Sequence, residues 1–99
     1  MKIEILYFDG CPAYKVAEKT LREVLAKEGI EAEVELVAVN TDEEARRLRF
    51  PGSPTIRVEG RDLFPTEERE DWQLACRVYA TPEWLRGTPT ADMMRAVLS

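Results

Sequence analysis

Histidine is absent from the 99 residues, and cysteine occurs only twice. Without imidazole there is no Ser-His-Asp triad, no Cys-His pair and no histidine metal ligand. Two cysteines are too few for a four-thiolate zinc site. Thiol or carboxylate chemistry is what remains, and neither a metal nor a cofactor is called for. Five glycines and six prolines exclude a collagen-like or low-complexity chain. No stretch approaches the ~20 consecutive apolar residues of a membrane helix. Met1 to Phe8 carry neither a basic leader nor a long apolar run, so the expectation is a cytoplasmic chain with no membrane partner. Basic residues are also scarce, 14 against 19 acidic for a net charge of −5. Their one cluster, Arg46, Arg47 and Arg49, reads as a solvated face offsetting Asp42, Glu43 and Glu44. Nucleic acid is therefore not an expected partner.

What is present suits one globular domain spanning 1–99, with 44% hydrophobic and 33% charged residues. Residues 2–8 begin with alternation and pass into a continuous apolar run, as a strand entering the interior does. From Pro12, Val16, Ala17, Thr20, Leu21, Val24 and Leu25 recur at helical spacing until Gly29 supplies a stop. Glu33 to Val39 alternates again, which completes a βαβ unit with parallel strands. Thr41-Asp42-Glu43-Glu44 is a capping box for a short helix over 42–49. Thr55–Val58 and Arg61–Phe64 flank the two-residue loop Glu59-Gly60 as an antiparallel hairpin. Thr90 caps a last helix, 91–98, with Met93, Met94, Val97 and Leu98 as its apolar face.

Residues 65–89 form a segment too long for a simple connection. Thr81-Pro82-Glu83 has a cap, a first-turn Pro and an acid in order, which predicts a helical turn over 82–86 closed by Gly87. Trp72 and Trp84 read as packing anchors of this segment or, if exposed together, as a partner surface.

Cys11-Pro12 falls between the first strand and the first helix, which places the thiol at the N-cap and Pro at the first helical position. Unpaired amides and the helix dipole favour a thiolate there. Lys15 one turn along adds to this, and Asp9 opposes it. Gly52-Ser53-Pro54-Thr55 stands before the third strand, where an X-Pro bond that turns sharply is a candidate for the cis form, about 0.5–1 kcal/mol away from trans.

Cys11-Pro12-Ala13-Tyr14 after the first strand, with Ser53-Pro54-Thr55 before the third, resembles the thioredoxin-like superfamily over about residues 1–64 and 90–99. The resemblance implies a βαβαββα fold, a central mixed four-stranded sheet flanked by helices, with 65–89 as an added segment. It implies that Cys11 is a nucleophile and that Ser53 and Pro54 form a substrate loop beside it, with Pro12 and Tyr14 also at the substrate site. Where dithiol members carry a second cysteine, this chain has Tyr14. Cys76-Arg77-Val78-Tyr79 and the Thr81-Pro82-Glu83-Trp84-Leu85 turn resemble small bacterial thioredoxin-like proteins, some of them labelled alkylmercury lyase-like.

Several readings stay open at this level. Cys11 is either a reactive thiol or an inert buried one. Cys76, sixty-five positions later, is either a small core residue or the resolving thiol for Cys11, with Arg77 favouring its thiolate. A bridge closing so long a loop would stabilise the fold by about 4 kcal/mol on the chain-entropy argument. Tyr14 either hydrogen-bonds near Cys11 or covers the helix as a lid. The leading expectation is thiol–disulfide exchange with a protein disulfide or a small thiol such as glutathione. The alternatives are a non-enzymatic binding module and capture of a soft metal such as Hg(II) by both thiols.

Overall fold

The computed structural model describes residues 1–65, 74–75, 77–82 and 84–98. Strand β1 (Lys2–Tyr7) is followed by helix α1 (Ala13–Lys27) and strand β2 (Glu33–Ala38). Helix α2 (Asp42–Leu48), strands β3 (Thr55–Val58) and β4 (Arg61–Asp62), and a hairpin of β5 (Tyr79–Thr81) and β6 (Trp84–Arg86) come next, before helix α3 (Ala91–Leu98). Strands β2-β1-β3-β4 form a mixed four-stranded sheet. β1 runs parallel to β2 and antiparallel to β3, with Ile5 opposite Leu36 and Ile56.

Alternation along β1 sends Ile3 and Ile5 to one face of the sheet and Leu6 to the other. The first two join Leu21, Val24, Leu25, Ile56 and Met94 in a core under α1 and α3. Leu6 joins Val39, Ala45 and Phe50 under α2. A sheet covered on both faces explains the apolar run at the end of β1. Helix α1 ends as its sequence directs: Gly29 takes φ 64°, and the Ile30 N–H donates to the Leu25 carbonyl at 2.9 Å, returning Ile30 to the core. The Thr41 box forms, with the Glu44 N–H donating to Thr41 Oγ1 and that hydroxyl donating to the Glu44 carboxylate. Thr90 likewise accepts the Met93 N–H at the start of α3.

Three expectations are corrected. Strand β4 stops at Asp62 and does not reach Phe64, because the Asp62 carboxylate accepts the Phe64 N–H and turns the chain. Residues 82–86 are no helical turn. Thr81 and Trp84 instead pair across an antiparallel hairpin, and the Thr81 hydroxyl donates to the Trp84 carbonyl and does not cap a helix. Trp84 is no packing anchor, being 78% exposed at the end of that hairpin; Trp72 lies outside the described residues. On α3, Met94 is fully buried and Leu98 packs against the first core, but Val97, expected on the same apolar face, is exposed.

The loop between α2 and β3 is held by two side chains. Phe50 is fully buried in the second core. The Arg57 guanidinium donates to the Leu48 and Arg49 carbonyls at 2.7 and 3.1 Å, and burial draws its pKa down. Phe50→Ala should cost about 3–5 kcal/mol of stability in urea denaturation, against about 1 kcal/mol for the surface cap variant Thr41→Ala.

Candidate functional site

Cys11 lies in the turn between β1 and α1, its N–H donating to the Phe8 carbonyl at 2.9 Å. It was expected at the N-cap. The cap is instead Pro12, whose φ and ψ of −72° and −5° are already helical, and its ring leaves no side-chain cap. Cys11 thus precedes the first turn by one residue more than the motif suggested. The side chain is 3% exposed and disulfide-bonded. Its Sγ stands 3.7 Å from the Ser53 carbonyl oxygen, a sulfur–oxygen contact, since a disulfide sulfur has no proton to donate.

The Ser53–Pro54 peptide bond is cis, and both residues are buried. Ser53 offers one N–H and one carbonyl, and both are taken from within the chain. Its N–H donates to the Ala75 carbonyl, and the Arg77 N–H donates to the Ser53 carbonyl, each at 2.8 Å. Two such bonds around one residue are the pattern of a parallel strand pair. Cys76, between those two partners, lies outside the described residues.

Arg77 is the anchor of this segment. Its side chain is buried. Nη1 donates to the Asp62 carboxylate at 2.9 Å and to Thr55 Oγ1 at 3.3 Å, and Nη2 donates to the Phe64 carbonyl. The guanidinium also stacks 4.5 Å from the centre of the Tyr79 ring. Tyr79 in turn donates its hydroxyl to the Pro54 carbonyl. Gly52 answers the same segment from below. Its φ is 134°, and a Cβ there would lie 2.9 Å from Arg77 Cβ and 3.0 Å from Arg77 Cα, so only glycine admits the crossing.

The other expected site residues fall around this core. Pro12, Lys15 and Asp9 are exposed, and the Asp9 N–H donates to the Asn40 side chain at 3.3 Å. Tyr14 is half-buried, stacked on Tyr7 at 4.2 Å and packed against the first core, which is the covering role. The Arg77 guanidinium donates to Asp62, Phe64 and Thr55, and its bearing on the Cys76 thiolate lies outside the described residues. Gly52 and Tyr79 stand in motifs read from the sequence but without a role of their own, and Asp62 was not singled out; their roles depend on partners 15 or more positions away. Among the described residues, no three His, Cys, Asp or Glu side chains converge as metal ligands, and no helix is long and apolar enough to cross a membrane.

Removing the Arg77 guanidinium in Arg77→Met should cost about 3–5 kcal/mol in urea denaturation, since the Asp62 carboxylate loses its buried partner. Burial raises the Tyr79 phenol well above its ordinary range, with Arg77 opposing and Asp62 reinforcing the shift. Such a group stabilises the fold fully below its unfolded pKa near ~10 and loses that contribution as pH rises toward the folded value. Tyr79→Phe should therefore show a shallower decline in urea midpoint between about pH 9.5 and 11.5 than the parent protein. No protein-family model, curated protein or solved structure matches the chain.

Proposed function

We propose that the protein is a thioredoxin-like thiol–disulfide exchange protein with Cys11 as nucleophile and Cys76 as its resolving thiol. One observation carries the reading. The disulfide-bonded Cys11 sulfur lies beside the Ser53 carbonyl, and the residues on either side of Cys76 are hydrogen-bonded to that same Ser53. Cys76 is the chain's one other cysteine, which makes it the resolving thiol of this proposal. The strand order, the parallel β1–β2 pair and the cis-proline turn facing Cys11 support the fold assignment.

In the reduced protein, the Cys11 thiolate attacks one sulfur of a substrate disulfide RSSR, and RS⁻ leaves as the mixed disulfide forms. The Cys76 thiolate then attacks the Cys11 sulfur and releases the second RS⁻. The protein dithiol is oxidised to its disulfide and the substrate is reduced to two thiols, with protons from the two cysteines going to the products. Protein disulfides and small thiols such as glutathione are the substrate classes this chemistry admits, and no resident cofactor takes part.

Thiol release from a disulfide substrate tests the assignment. Cys11→Ser should fall to the uncatalysed background. Cys76→Ser should form the mixed disulfide on Cys11 and stall there, as an adduct seen by intact-mass spectrometry. Equal rates for the parent and Cys11→Ser would refute the reading.

A further inference from the structure

Main-chain pairing is the principal way an extended polypeptide gains affinity for a protein groove. At this site the one residue whose carbonyl faces the Cys11 sulfur has no main-chain group left for such pairing. Ser53 is fully buried, and its N–H and carbonyl are both held by Ala75 and Arg77. The occupying segment is also built in. Leu74 packs against the Leu6, Val39, Ala45 and Phe50 cluster. Arg77 is held by Asp62, Phe64 and Thr55, and Tyr79 by the Pro54 carbonyl. The backbone of Gly52 is shaped for Arg77 to cross it. None of these contacts involves a cysteine sulfur.

We infer that Leu74, Ala75, Arg77 and Tyr79 anchor a permanent strap over the Ser53–Pro54 turn, and that the substrate of Cys11 is a small disulfide engaged through its sulfurs, not an extended polypeptide. This rests on the exchange reading above and narrows it. The electron balance is unchanged: the reduced protein gives two electrons to a low-molecular-weight disulfide and becomes the internal disulfide, and two equivalents of a low-molecular-weight thiol return it to the dithiol and leave as their own disulfide.

The reduced protein should be assayed with bis(2-hydroxyethyl) disulfide and with insulin, each rate divided by that of free dithiothreitol on the same substrate to remove intrinsic reactivity. The normalised rate for the small disulfide should exceed that for insulin roughly 10- to 100-fold, the range expected when two main-chain hydrogen bonds are denied to a polypeptide. Normalised rates that are equal, or that favour insulin, while depending on Cys11 would overturn the inference and leave the exchange reading standing. Rates unchanged by Cys11→Ser on both substrates would overturn both. Amide hydrogen exchange supplies a second readout that needs no variant. The Ser53 and Arg77 N–H groups should stay protected in the reduced protein as in the oxidised one. Loss of both protections on reduction, with β1 still protected, would mean that the strap lifts and would overturn the inference.

Discussion

The buried guanidinium of Arg77 is the interaction on which the site depends. A charge taken out of water is tolerated only where its donors find acceptors. Here Asp62 at the end of β4, the Phe64 carbonyl just beyond it and the Thr55 hydroxyl at the start of β3 accept from Nη1 and Nη2, while Nε is buried with no partner among the described residues. Three points on the main sheet thus fix one residue of the 65–89 segment, and the Tyr79 ring lies under the same group. With Arg77 placed, its N–H reaches Ser53, and the backbone on the near side of Cys76 follows through Ala75. Ala75 and Arg77 are therefore tied to Ser53 by backbone pairing and electrostatics, without the help of any cysteine sulfur.

The consequence for chemistry lies in entropy. Two thiols far apart in sequence ordinarily meet only at the expense of ordering the loop between them. When the flanking residues of one are already pinned to the residue beside the other, that ordering is complete before exchange begins. This is how a chain with Tyr14 at the usual second-cysteine position can still support the proposed dithiol mechanism: a distant segment supplies what the local motif lacks.

The first 64 residues were largely legible because their determinants are local. Alternation in β1 and β2, the 3.6-residue spacing of α1, the Thr41 and Thr90 caps and the Glu59-Gly60 turn each act within a few positions. The structure places those elements within one or two residues of the sequence reading, apart from the shorter β4. Where the reading failed, a distant partner had overridden a local signal. Thr81-Pro82-Glu83 has the pattern of a helix start, but Tyr79 is drawn into the Arg77 network and the chain on either side of Pro82 pairs as a hairpin. Trp84 then lies at an exposed hairpin end, with a left-handed φ of 103°.

The sequence by itself determined the periodicities, the caps, the absence of imidazole chemistry, and the placing of one cysteine before a helix and one Ser-Pro pair before a strand. Each follows from spacing or composition, which the linear chain carries in full. Only the tertiary structure decided that the Ser53 backbone is occupied from within the chain, that Gly52 must lack a side chain, and that Arg77 ties its own segment to Asp62, Thr55 and Phe64. Those outcomes depend on which groups meet across 13 to 25 positions of sequence. That is settled by the joint requirement to bury Phe50 and Tyr79 and to find acceptors for one guanidinium taken out of water.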